Sequence, residues 1–160
     1  MIATDAAGNV SAATAVPTIT ADSTVPPAPT VTSPSAPVSV NTATDTITGT
    51  AAAGALVKVW KDPDKNGVVD AADSVAGSQQ LGSTATAWSI NVSLAANAAN
   101  HFVVTATNAA GTQSGATLVP TITQDSIAPA APVLTDPSGP VITNQHSYNI
   151  QGTAEANALV

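Results

Sequence analysis

The sequence contains no cysteine and no arginine. Without cysteine there is no disulfide framework, no thiolate metal site and no cysteine nucleophile. The cations are three lysines, Lys58, Lys61 and Lys65, against ten acids, for a formal net charge of −7. That balance repels phosphate backbones and anionic membrane surfaces, so no nucleic-acid partner is expected. No apolar run approaches the roughly 20 residues of a spanning helix, so no membrane insertion is expected. The first residues lack a basic region leading into an apolar stretch, so no cleaved signal peptide is expected in this segment. Aromatics are scarce as well: Trp60, Trp88, Phe102 and Tyr148. Large side chains dominate core energetics, so any core must be thin.

What is abundant is Thr, Val, Ser, Ala, Asn and Pro, a profile that opposes helix and favours short strands joined by turns. Low-complexity disorder is the competing reading of such a chain. It does not require the regular alternation found here.

An internal repeat organises the chain. Ala3–Val57 aligns without a gap on Ala106–Val160, at an offset of 103 residues, with more than half of the positions identical. ATDAAGNVSAATAVPTITADSTVPPAPTVTSP is matched by ATNAAGTQSGATLVPTITQDSIAPAAPVLTDP, and ITGTAAAGALV by IQGTAEANALV. The unit boundaries fall at the proline clusters ADSTVPPAP and QDSIAPAAP, which read as extended, semi-rigid connectors. Residues 22–125 then form one complete domain, residues 1–21 the end of a preceding copy, and residues 126–160 the start of the next. Neither terminal fragment has a whole sandwich to itself, so each is expected to be disordered or to exchange strands with a neighbour.

Within 22–125 the alternation predicts strands at Ala28–Thr32, Thr46–Thr50, Ala55–Lys61, Gln79–Ser83, Ala87–Ser93, Asn100–Asn108 and Ala116–Thr123. Val57 and Val59 share one face; Trp88, Ile90 and Val92 another; Phe102, Val104 and Ala106 a third. No window carries a capped 3.6-residue apolar stripe, and the alanines at 95–99 are too few for a helix. Turn signals about every ten residues match an all-β sandwich.

ATDAAGNxS, then D-S-x-x-P-x-A-P, then I-x-G-T-A, with tryptophan in AWSI, resembles the Ig-like tandem repeats of large secreted bacterial adhesins, the biofilm-associated and RTX-type surface proteins. The resemblance covers essentially the whole chain. It implies an Ig-like Greek-key β-sandwich in tandem repeats of about 103 residues, an extracellular location at the bacterial cell surface, and neighbouring repeats of the same chain as partners. It also implies calcium within domains and at their junctions, where Asp22 and Asp125 occupy the same repeat position. A plain turn-capping role for those two acids is the equal alternative. Asp5 of the first copy is Asn108 in the second, so a junction site using that position need not recur.

One segment carries chemistry of its own. Asp62-Pro-Asp64-Lys-Asn66-Gly67-Val68-Val69-Asp70-Ala-Ala-Asp73 fits the twelve-residue calcium loop of an EF-hand. Asp62, Asp64 and Asn66 supply oxygens at positions 1, 3 and 5, Gly67 the sharp turn, Val68 a carbonyl, Asp70 position 9 and Asp73 the closing carboxylate. Val69 would anchor the loop to the core. Four of the ten acids lie in these twelve residues and repel one another unless a cation intervenes. The competing reading is a solvated acidic turn. Asp73 in place of glutamate, and Lys65 inside the loop, point to modest affinity suited to millimolar extracellular calcium. A dockerin would carry two such loops with helices; here one loop lies between strands.

Other candidates are weaker. His101 and His146 have no zinc spacing, and His101 reads as a surface residue. Trp60 and Trp88 could stack on a sugar, but alternation places both in a core. No nucleophile signature or acid–base pair is present, so no enzyme activity is expected. The reading is a structural extender repeat of a calcium-dependent surface adhesin, supporting adhesion or biofilm formation. The rival is a binding module for glycan, ice or a partner cell, which needs exposed aromatics or a flat ladder of Thr and Asn.

Overall fold

The computed structural model describes all 160 residues, and every regular element in it is a strand. They are β1 (Thr30–Ser33), β2 (Val38–Val40), β3 (Thr44–Thr50), β4 (Leu56–Lys61), β5 (Ser74–Gln80), β6 (Ala87–Ser93), β7 (Ala98–Asn100), β8 (Phe102–Thr107), β9 (Thr117–Leu118), β10 (Ile122–Gln124), β11 (Val133–Asp136) and β12 (Gln151–Thr153). No helix is long and apolar enough to cross a membrane.

Two sheets, ordered β1-β3-β6 and β5-β4-β8-β9, face one another in a β-sandwich-like arrangement. The period-two pattern explains why. Ile47 of β3 and Trp88, Ile90 and Val92 of β6 point inward from the first sheet, and Val57, Val59, Phe102 and Val104 meet them from the second. Gly49 of β3 lets the Trp88 indole lie flat on the sheet: a Cβ there would come within 2.6 Å of Trp88 Cζ2. A third small sheet, β2-β10-β7, has β2 parallel and β7 antiparallel to β10.

Three strand assignments differ from the sequence reading. The segment expected as one strand over Asn100–Asn108 breaks at His101, so that β7 pairs with β10 while β8 pairs with β4. Ala116–Thr123 likewise divides into β9 and β10 at Pro120, which has no N–H for a ladder. The strand expected at Gln79–Ser83 lies at Ser74–Gln80, where its register is set by pairing with β4 rather than by its own polar sequence.

The proline segment entering the sandwich is docked rather than free. Pro26 and Pro29 are buried, Asn108 Nδ2 donates to Thr24 O (2.9 Å), and Thr117 Oγ1 donates to Pro29 O (2.6 Å). Beyond Asp125, β11 and β12 form a separate two-stranded sheet.

Candidate metal centre

The segment Asp62–Asp73 connects β4 to β5. Its first residue is fixed by the fold: Asp62 N donates to His101 O (3.0 Å) at the break between β7 and β8. The Asp62 side chain is only 1% exposed and accepts from Asn66 N (3.2 Å) and Gly67 N (3.1 Å), which wraps the loop around one carboxylate. Gly67 adopts φ 75°, the left-handed conformation a sharp turn demands, and packs against Leu118 of β9.

Asp62, Asp64 and Asp73 converge, each offering one oxygen, with all three atoms within 4.8 Å of one another. A hard cation with bonds of about 2.4 Å spans oxygens up to about 5 Å apart, so one ion reaches all three. Asp73 Oδ1 is the decisive atom. It is buried with no hydrogen-bond partner, while Asp73 Oδ2 accepts from Asp70 N (3.2 Å). A buried, orphaned carboxylate oxygen beside two other carboxylates is an acceptor that a bound cation would satisfy. With neither His nor Cys in the cluster, the donor set is that of a hard metal.

Asn66 and Asp70 flank this triad. Asn66 Nδ2 donates to Asp64 Oδ2 and to Asp70 Oδ2, both at 2.8 Å, so an amide bridges two like charges. Turning that amide over would present Oδ1 instead. Val68 N donates to Asn66 Oδ1 (2.8 Å), and Asp70 Oδ1 accepts from Ala72 N (2.7 Å). Withdrawal from water pushes the Asp64 carboxyl above its ordinary range, helped by the hydrogen bond with Asp62 and the charges of Asp70 and Asp62.

The loop does not anchor in the sandwich core as expected of Val69. Val68 and Val69 instead lie on the outer face of β8, beside Thr105, Ser114 and Gly115. Trp60 also departs from expectation: it is half-buried on that same outer face, its Nε1 donating to Thr105 Oγ1 (2.9 Å) and Lys58 Nζ 5.5 Å from its ring. Side chains on both faces of β8, Val103 and Thr105 included, are therefore buried. The unbroken run FVVTA was the sequence signal for a strand covered on two sides. His101 is not a surface residue either. It is half-buried, and its Nε2 is enclosed without a partner.

Neither junction acid belongs to a cluster of three or more potential ligands. Asp22 Oδ1 accepts from Thr24 N (2.9 Å), which holds its carboxyl below the ordinary range, and Asp125 Oδ1 accepts from Ile127 N (3.0 Å). Asp5 is lowered through hydrogen bonds from Asn9. Trp88 is buried, and Trp60 is half-buried against Thr105 and Lys58. The outer face of β1-β3-β6 instead carries a ladder of uncharged polar residues. Thr44, Thr46 and Thr48 stand opposite Ser93, Asn91 and Ser89, and Thr30 and Thr32 hydrogen-bond Thr50 and Thr48.

Comparison with protein-family models, curated proteins and solved structures returns no match to this chain.

Proposed function

We propose that this chain is an extender repeat of a calcium-dependent bacterial cell-surface adhesin, an Ig-like sandwich whose role is to hold an adhesive region away from the cell. The observation that carries the reading is the buried, orphaned Asp73 oxygen among three converging aspartates, set in a sequence that repeats at an offset of 103 residues. The Ig-like topology is supported by the pairing of β3 with β6, of β4 with β8, and of β2 parallel to β10. A rod function is supported by the docked proline segment, since a fastened entry strand restricts bending between units. Calcium is the metal the loop suits: an all-oxygen set, a glycine turn and a short acidic segment.

The test is a thermal melt of the whole chain in millimolar calcium and in excess chelator. At a calcium concentration about 100 times Kd, binding adds about 2.7 kcal/mol, a rise of roughly 10–20 °C for a domain of this size. Asp62→Ala with Asp64→Ala should remove the rise. No shift in the unsubstituted chain would reduce the loop to an acidic turn.

The Thr ladder favours a second reading, a module that itself binds an ordered hydroxyl surface such as a glycan or ice. Retention of the chain on insoluble polysaccharide or ice, lost in Thr46→Lys with Asn91→Lys, would replace the extender reading; no retention would dismiss it.

A further inference from the structure

Asn66-Gly67 is the only Asn-Gly pair in the sequence. Glycine shields its own backbone nitrogen least of all residues, because no Cβ stands beside it. That nitrogen can attack the amide carbon of a preceding asparagine, closing a five-membered imide and expelling ammonia. The rate depends on how the surrounding structure holds the reacting atoms.

In the Asp62–Asp73 loop each of those atoms has a partner. Gly67 N, the attacking atom, donates to Asp62 Oδ2 (3.1 Å), a carboxylate placed to take its proton. Asn66 Oδ1 accepts from Val68 N (2.8 Å), a donor that polarises the carbonyl and offsets the charge gathering on its oxygen during attack. The same bond folds the Asn66 side chain back along the chain, since the ring it closes includes Gly67 N. Asn66 Nδ2, the leaving nitrogen, donates to Asp64 Oδ2 and Asp70 Oδ2, both at 2.8 Å. Asn66 is exposed, so water reaches the imide once it forms. Asn108 supplies an internal contrast. Its Oδ1 accepts from Ala110 N (3.1 Å) in the same way, but the next residue is alanine and its Nδ2 donates to a carbonyl, Thr24 O.

We infer that Asn66-Gly67 is a self-processing site, at which the loop converts its own asparagine to aspartate or isoaspartate. Gly67 N gives up its proton and bonds to Asn66 Cγ. The Cγ–Nδ2 bond then breaks, and ammonia leaves with that proton. Water opens the imide at either of its carbonyls. One water is consumed and one ammonia released, with no oxidant or reductant. The product exchanges the amide that bridges Asp64 and Asp70 for a further carboxylate in a loop that already holds Asp62, Asp64, Asp70 and Asp73, so repulsion within it rises. The inference concerns the metal-free loop and does not rest on the metal reading.

The experiment incubates the 160-residue chain and a synthetic peptide of residues 60–75 in one buffer with excess chelator. Peptide mapping follows the mass gain of about 1 Da that marks conversion at position 66. The chain is expected to convert at least about threefold faster than the peptide, a small part of what positioned proton transfer supplies. Asp62→Asn should bring the rate of the chain down to that of the peptide, and Asn108 should stay intact over the same period. A chain that converts no faster than the peptide would overturn the inference. So would an unchanged rate in Asp62→Asn, or conversion at Asn108 as fast as at Asn66. The peptide comparison uses the unsubstituted chain, so it is decisive even if Asp62→Asn does not fold.

Discussion

Residues 30–57 and 133–160 are two copies of one sequence segment in two surroundings, and they separate what a strand pair does alone from what a core does. Both copies form the same hairpin with the same register. Yet Ile47 is fully buried where Ile150 is 71% exposed, and Val57 is fully buried where Val160 is 89% exposed. Pro26 and Pro29 are buried, while Pro129 and Pro132 are open to solvent. The turns behave like the hairpins. Asp5 and Asn108 each collect two backbone N–H groups within their own loop, and Gly8 and Gly111 have φ 90° and 86°. Short-range geometry is therefore written into each copy. Burial is not, because Ile47 is covered by Trp88, Phe102 and their neighbours, which lie more than forty residues further along the chain.

The comparison breaks most visibly at the paired isoleucines. Ile47→Ala should destabilise the chain by about 2–5 kcal/mol through lost burial and a residual cavity. Ile150→Ala should stay within about 0.5 kcal/mol, as an exposed substitution does. Urea denaturation followed by tryptophan fluorescence measures both, and equal effects would mean that the second copy buries its face in solution.

A smaller effect sharpens the contrast at the turns. Asn108 donates to Thr24 O, which a carboxylate cannot do, whereas Asp5 accepts from its own loop and from Asn9 Nδ2. Asn108→Asp should therefore cost about 1 kcal/mol and speed amide exchange at Val25, Ala28 and Thr30, with Thr117→Val acting in the same direction. Asp5→Asn should leave that segment unchanged. Unaltered exchange in Asn108→Asp would show that the buried prolines alone hold the entry segment.

Much of this architecture was legible from residues. Alternation located β3, β4, β6 and most of β8, and grouped the residues of β4, β6 and β8 that share a face, because period two is a local property of an extended chain. The acidic loop was legible for a similar reason: liganding oxygens and the turning glycine must fall within a few residues of one another. The three-residue strands β2 and β7 were not, since so short a segment carries no period and exists only through its partner β10. Trp60 was misplaced because alternation says which residues share a face and not which face is the core.

By itself, then, the sequence determined the repeat, the all-β character and the position of the acidic loop, all consequences of spacing along the chain. Only the tertiary structure decided that Asp62, Asp64 and Asp73 are the acids that converge, and that the loop lies on the outer face of β8 rather than in the core. It also decided that Ile47 and Val57 are covered by Trp88, Phe102 and their neighbours. Those outcomes depend on partners brought from distant parts of the chain, and no local pattern encodes the distance between them.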